Sequence, residues 1–196
     1  IRDSYQPFPL QTRVLLILAT GQLFPVKFTL GLGQVNLVVF LGFVLFLRFL
    51  DDQKPLLAGL SLAVISAIKF HPLLFVLYLL LTKKYRATFY TLFFFFSFNL
   101  IVDHFSDHYL LISFVQQTLS KLNQPPLYYY NQSLPALLGR LNLQTVSPFI
   151  NFTLLSLTCY TIYLNPKHSL SNFSLFMTTL LLISPITWQH YLVWTI

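Results

Sequence analysis

Residues 55–82, PLLAGLSLAVISAIKFHPLLFVLYLLLT, decide how this chain folds. Two apolar runs, 56–68 and 73–81, are separated by a short segment that holds Lys69 and Pro72. Proline lacks a backbone donor and disfavours helix in the residue before it, and each run is shorter than the ~20 apolar residues that cross a bilayer. We therefore predict two half-helices that enter and leave the membrane on the same side, with the broken backbone buried in protein or facing water.

The composition indicates that lipid surrounds much of the rest of the chain. Of its 196 residues, 56% are hydrophobic and 9% are charged, whereas soluble domains carry roughly 25% charged residues. The 21 phenylalanines and 11 tyrosines suit lipid-facing helices and the membrane interface. The single cysteine, Cys159, supports neither a disulfide nor a metal site. The expected fold class is therefore all-α, a polytopic transmembrane helical bundle.

Outside the broken pair, about five apolar segments approach the length of a membrane span. We expect residues 1–196 to form a single membrane domain, as a fragment that lacks the N-terminal and C-terminal parts of its parent. An extracytoplasmic loop is expected at about 103–147, where prolines, tyrosines and polar residues cluster. The five spans are expected at about residues 12–32, 34–48, 87–102, 148–163 and 172–188.

The distribution of basic residues predicts the orientation. If the start of the chain is cytoplasmic, eight Lys and Arg residues lie on the cytoplasmic side, three lie outside and Lys69 lies within the membrane. This bias follows the positive-inside rule, and a full crossing by residues 55–82 would weaken it by moving Lys83, Lys84 and Arg86 outside. Cytoplasmic loops thus explain the net charge of +7, and nucleic-acid binding is not expected.

Four residues near the predicted outer side are candidates for binding a ligand. Gln34 and Asn36 follow Gly33 where the second span opens, and helix N-termini expose N–H groups that favour anions. These two side chains could bind a sugar or a phosphate, and simple helix capping is the alternative. Lys69, and His71 beside it at the break, are ionisable groups at membrane depth, and such groups are costly and commonly functional. For both, the alternative is snorkelling to the interface or an internal polar contact.

Another polar cluster follows the third expected span, at Asp103, His104, Asp107 and His108. On a helix, residues four positions apart share a face, so these groups could bind a metal ion. A polar cap where the span leaves the membrane is the interpretation that we favour. No metal and no other cofactor is expected.

Several short motifs, taken in order, resemble glycosyltransferase family 87, which belongs to the GT-C superfamily of membrane glycosyltransferases. No single motif is specific, and the resemblance rests on their order and spacing over about residues 10–194. The motifs are Gly33-Gln34-Val35-Asn36, Lys69-x-x-Pro72, Lys83-Lys84-x-Arg86, Asn131-Gln132-Ser133-Leu134 and Ser184-Pro185-x-x-Trp188-x-His190-Tyr191.

The resemblance implies a GT-C-like multi-spanning fold with an active site on the extracytoplasmic face. It implies a polyprenyl-phosphate sugar as donor, typically polyprenyl-phosphate-mannose, and a lipid-linked or glycan acceptor. The catalytic Asp of the family is expected in a loop upstream of residue 1, so the catalytic residue within this chain is unknown. The residues expected to bind substrate are Gln34, Asn36, Lys69, Asn131, Gln132, Trp188, His190 and Tyr191.

Three functional hypotheses follow from the sequence. The first is a mannosyltransferase-like hexosyltransferase, an integral multi-pass protein of a bacterial plasma membrane. The second is a polytopic transporter or lipid flippase without glycosyl transfer, since transporters bind substrate at broken helices. The third is a non-catalytic scaffold subunit, in which the polar residues of the outer loop could be replaced without consequence.

Overall fold

The computed structural model describes residues 9–106, 112–113, 116, 125–166, 169–187 and 191. Over these residues the chain forms helices and no strand, which confirms the all-α prediction. A 3₁₀ turn at His71–Leu74 leads into α5. The helices are α1 (Leu10–Gln22), α2 (Phe24–Gly31), α3 (Asn36–Asp51), α4 (Pro55–Ile68), α5 (Phe75–Leu81), α6 (Tyr85–Ser106), α7 (Leu134–Arg140), α8 (Ser147–Leu164) and α9 (Ser169–Ile183).

The predicted break within residues 55–82 is present. α4 ends at Ile68, and Lys69 has extended backbone with φ −139° and ψ 132°. After the 3₁₀ turn, α5 brings the chain back to the end of the bundle where α4 began, because the turns that precede α4 and α6 line one cavity. The two half-helices therefore enter and leave at the same end, as the re-entrant prediction requires.

α4 lies between α3 and α6 and packs closely against both. The Ile65 side chain of α4 occupies the space where a side chain at Gly42 of α3 would lie. On the other side, a Cβ atom added to Gly59 would lie 2.5 Å from Tyr90 Cβ and 2.8 Å from the backbone N of Thr91. The absence of a side chain at Gly42 and Gly59 thus permits the close approach of three helices.

The break lies beside the middle of α6. The ring centroids of Phe70 and Phe95 are 6.2 Å apart, and Phe95 is about 15 Å from either end of α6 at ~1.5 Å per residue. Among the described residues, α6 is the one helix long and apolar enough to cross a membrane, judged by length and composition. A membrane crossed by α6 would therefore have the break near its mid-depth.

An aromatic cluster joins α3, α5 and α9 below the break. The ring of Phe75 in α5 lies 4.9 Å from the ring of Phe43 and 4.9 Å from that of Phe173. Phe75 is buried, as is Phe176, whose ring lies 5.1 Å away. These contacts hold the returning half-helix against α3 and α9, so the position of the break is set by packing on several sides.

The first expected span, 12–32, is two helices rather than one. α1 and α2 are separated at Leu23, which has extended backbone with φ −62° and ψ 138°. Pro25 has no backbone N–H to donate within a continuous helix, but a proline is tolerated in the first turn of a new one. The apolar composition is the same on both sides of the interruption, and Pro25 is the local residue that indicates it.

The expected number of about five spans is not confirmed. Within the described residues, α6 alone meets the length and composition of a span, while α3 has 16 residues and α9 has 15. α9 stops at Ile183, short of the expected end at residue 188, because Pro185 disfavours helix in the residue before it. The expected loop at 103–147 is also partly helical, since α6 continues to Ser106 and α7 lies within it.

The close approach of α4 and α6 predicts that Gly59→Ala is destabilising. The added methyl group would meet the Tyr90 Cβ and the Thr91 backbone, and overpacking of this kind costs about 1–3 kcal/mol. The measurement is thermal unfolding of the purified protein in detergent. Gly21→Ala is the matched control, because a Cβ atom there meets nothing within 4 Å. Equal stability of the two variants would contradict the packing described here.

Candidate functional site

Four helix ends meet at the break. α3 begins at Asn36, α4 ends before Lys69, the 3₁₀ turn begins at His71, and α9 ends before Ser184. Helix ends leave backbone N–H and C=O groups without intrahelical partners. The polar side chains at the break therefore lie next to polar backbone groups. The part of α6 beside the break is apolar.

Lys69 is held at the centre of these ends by two side chains. Its Nζ donates a hydrogen bond of 2.6 Å to Asn36 Oδ1, although the two residues are 33 positions apart in the chain. The same Nζ lies 3.9 Å from the ring centroid of Tyr191, which is a cation–π distance. Asn36 is fully buried and Lys69 is partly buried. The structure thus brings together three of the eight residues that the sequence predicted to bind substrate.

His71 forms a second polar pair beside Lys69. Its Nε2 lies 2.9 Å from Ser184 Oγ, and its ring centroid lies 6.2 Å from that of Tyr191. The Ser184 hydroxyl donates to the carbonyl of Ile186 at 2.9 Å. A hydroxyl has one proton to donate, so which member of the His71–Ser184 pair is the donor depends on the His71 tautomer. The pair fastens the break to the chain that follows α9.

Asn131 fastens the loop before α7 to the same segment. Its Nδ2 donates to the carbonyls of Pro126 and Pro185 at 2.9 and 3.0 Å, and its Oδ1 accepts from the amide of Thr187 at 2.9 Å. The amide of Gln132 donates to the Thr187 carbonyl at 2.8 Å. The nitrogen and the oxygen of the buried Asn131 side-chain amide are both hydrogen-bonded to backbone groups of the chain. These contacts are those of a positioning residue.

Of the other predicted site residues, Gln34 and Gln132 are exposed. Gln34 is exposed in the turn before α3, where its backbone amide donates to the Thr29 carbonyl at 3.0 Å. Gln132 is exposed, and its side chain donates to the Tyr129 carbonyl at 2.9 Å. Trp188 and His190 lie outside the described residues. Substrate binding by all eight residues remains a prediction.

Two residues at this end, His71 and Ser184, were not among the predicted substrate-binding residues. His71 lies two positions after Lys69, and Ser184 opens the last motif, so their motifs signalled their general location. Their mutual contact spans 113 positions and has no local signal in the sequence.

Asp103 and His104 occupy the last turn of α6, whereas Asp107 and His108 lie outside the described residues. In the described part of the chain, no three His, Cys, Asp or Glu side chains gather into a metal-binding group.

An apolar cavity of about 310 Å³ adjoins the His71–Ser184 pair. It lies between the break, α5, α8 and α9, and its lining includes Phe70, Leu77 and Leu180. Polar groups therefore stand at one edge of a cavity that is otherwise hydrocarbon. This arrangement suits a ligand with a polar head and an apolar chain.

Broken helices that gather ionisable groups beside a long apolar helix are typical of helical membrane proteins with an internal polar site. Within that class the family is shown by comparison: the chain belongs to glycosyltransferase family 87, whose model matches residues 4–185. The family consists of glycosyltransferases that are typically membrane proteins, which implies a sugar donor and an acceptor. No curated protein and no solved structure matches the chain.

The contacts of Asn131 predict that Asn131→Ala loosens the loop from the end of α9. Truncation removes three hydrogen bonds, and leaving the buried Thr187 amide unsatisfied alone costs about 1–3 kcal/mol. Faster proteolytic cleavage in the loop is expected, together with lower thermal stability.

Gln132→Ala is the matched control for that experiment, because the neighbouring Gln132 side chain is exposed and makes a surface bond. It should leave the cleavage rate near that of the unchanged protein. If the two variants were cleaved equally fast, Asn131 would not be the residue that fastens the loop.

Proposed function

We propose that this protein is a hexosyltransferase that moves a sugar from a polyprenyl-phosphate carrier to a lipid-linked or glycan acceptor. Mannose is the proposed sugar, and the extracytoplasmic face of a bacterial plasma membrane is the proposed place. Membership of glycosyltransferase family 87 supports the class of reaction. The sugar and the compartment rest on the resemblance of the motifs. The lipid-phosphate donor rests on that resemblance and on the apolar cavity beside the polar site.

The observation that carries the proposal is the position of the Lys69 ammonium. It lies where four helix ends meet, beside the middle of α6, and it is held by an amide oxygen and an aromatic ring. These two contacts orient the ammonium. An ionisable group at membrane depth is costly and commonly functional, and a lysine ammonium suits the phosphate of a lipid carrier.

The transfer reaction needs such a charge. A bond forms between the acceptor oxygen and the anomeric carbon, and the bond from that carbon to the phosphate oxygen breaks. The hydroxyl proton passes to a general base. The electron pair of the broken bond stays on the phosphate, where fixed cations and donors stabilise the developing charge. Lys69 and the N-terminal amides of α3, next to Asn36, are suited to that role.

The apolar cavity supports a lipid carrier rather than a soluble nucleotide sugar. A polyprenyl phosphate has an anionic head joined to a hydrocarbon chain, and the cavity places hydrocarbon next to His71 and Ser184. The proposed donor would put its phosphate near Lys69 and the first isoprenoid units between α5 and α9. A nucleoside would find few hydrogen-bonding groups in this cavity.

The proposal predicts that Lys69→Gln lowers sugar transfer about 100-fold or more, the effect typical of losing one group that stabilises transition-state charge. The measurement uses membranes that contain the full-length protein, supplied with radiolabelled polyprenyl-phosphate-mannose, and counts the label moved to acceptor. Lys27→Gln is the matched control, because Lys27 is an exposed lysine on α2. Unchanged transfer by a folded Lys69→Gln protein would remove Lys69 from the donor site.

A second prediction concerns His190, which directly precedes Tyr191 in the sequence. His190→Ala is expected to abolish transfer and to leave folding and membrane insertion normal, since an imidazole can donate to the leaving phosphate. The same transfer assay measures the loss, and thermal unfolding in detergent checks the fold. A fully active His190→Ala protein would contradict the proposed role.

The broken re-entrant pair also favours a transporter as the second candidate. The two functions differ in their products. A flippase would move the lipid-linked sugar across a vesicle without changing it, whereas a transferase would return polyprenyl phosphate and a glycosylated acceptor. Translocation without transfer, from folded protein supplied with a panel of lipid-phosphate sugars, would favour the transporter.

A further inference from the structure

A basic cavity lies at the end of the bundle opposite Lys69. It has a volume of about 560 Å³ and lies between the turn that precedes α4 and the turn that precedes α6. Four exposed basic residues line it: Lys54, Lys83, Lys84 and Arg86. The donor site proposed above uses none of them, so the cavity requires an explanation of its own.

The two turns that form this cavity have the same local geometry. Gln53 and Lys83 both have left-handed backbone, with φ 56° and 57°. In each turn the next amide, that of Lys54 or Lys84, donates at 2.8 Å to the carbonyl five residues earlier. Each closure ends one helix and starts the next at once. The N-termini of α4 and α6 therefore open side by side at the cavity, beside the C-termini of α3 and α5, whose opposite dipoles offset them. The net charge of the cavity is therefore set by its side chains.

Acidic groups offset only part of this charge. Lys54 Nζ lies 3.6 Å from Asp52 Oδ2, and this is the one ion pair that the described residues supply at the cavity. Lys83, Lys84 and Arg86 come from the other turn and from the first residues of α6. Four basic residues line the cavity, against two carboxylates, Asp51 and Asp52, in the first turn, so the net charge there is positive.

The cavity also adjoins an apolar surface. Tyr85 lines it, and Phe89, one turn further along α6, is 63% exposed. Phe93 continues the same exposed face, and the rings of Phe89 and Phe93 are stacked 6.2 Å apart. α6 is the described helix that has the length and composition of a span, so the cavity lies where that span would leave the hydrocarbon. Basic clusters at this level attract the phosphates of anionic lipids.

We propose that this cavity binds the phosphate of an anionic phospholipid, with the acyl chains lying along Tyr85 and Phe89. A phosphate group is the chemistry recognised, and free inorganic phosphate is the other source of that chemistry. The exposed apolar face of α6 favours the lipid, because a free anion would make no use of it. Binding at this cavity does not depend on sugar transfer, so it can be tested separately from the proposed function.

The test measures lipid retention by native mass spectrometry of the full-length protein in detergent. Phosphatidylglycerol, phosphatidylcholine and inorganic phosphate are offered separately. Lys84→Gln/Arg86→Gln should bind phosphatidylglycerol about 25-fold more weakly, since each basic residue near an anionic lipid surface contributes roughly fivefold. Lys83 is kept, because its left-handed backbone makes a substitution harder to interpret.

Lys27→Gln/Arg48→Gln is the matched control, since it removes the same charge from residues that do not line the cavity. It should bind phosphatidylglycerol as the unchanged protein does. Where the first double variant does not fold, Lys84→Gln is compared with Arg48→Gln in its place.

Three results would overturn the proposal. Equal losses in the two double variants would show that net charge alone controls binding. Equal retention of phosphatidylcholine and phosphatidylglycerol would show that the anionic headgroup is not recognised. Retention of inorganic phosphate through Lys84 and Arg86, without retention of phosphatidylglycerol, would assign the cavity to a free anion.

Discussion

The burial of the Lys69 ammonium at a broken helix is the constraint on which the rest of the structure depends. An ammonium beside the middle of a long apolar helix must be given polar partners, because an ionisable group at that depth is costly. The Asn36 amide and the Tyr191 ring provide them. Asn36 can do so because α3 begins there, and the interruption between α4 and α5 keeps Lys69 itself out of a regular helix. The helix ends therefore place the polar partners that the Lys69 charge requires.

This constraint gives the described part of the chain two unlike ends. At the Lys69 end, the break, the start of α3 and the end of α9 make a polar site next to an apolar cavity, and Asn131 fastens the loop before α7 to the segment after α9. At the opposite end, two tight turns gather four basic residues. A ligand with an anionic head and an apolar chain suits the chemistry of both ends. The proposed donor and the proposed phospholipid would thus be recognised by similar physical means at different depths.

The sequence predicted the features that depend on local chemistry. Pro72 removes a backbone donor, so the break and the two half-helices follow from a few residues. The start of α3 after Gly33 and the central part of α6 were also predictable from local patterns, although α6 extends past its expected end at residue 102 to Ser106. The Lys69–Asn36 and His71–Ser184 contacts were not, because they join residues 33 and 113 positions apart and depend on how helices pack. The split of the first expected span was missed because its apolar composition is the same on both sides of Leu23.

The central claim is that the phosphate of the lipid carrier binds at Lys69. The most direct test is a cryo-electron microscopy structure of the full-length protein with polyprenyl phosphate bound. The account predicts phosphate density within hydrogen-bonding distance of Lys69 Nζ, with the isoprenoid chain entering the cavity beside His71 and Ser184. Phosphate density elsewhere, with the contacts of Lys69 to Asn36 and Tyr191 unchanged, would contradict it.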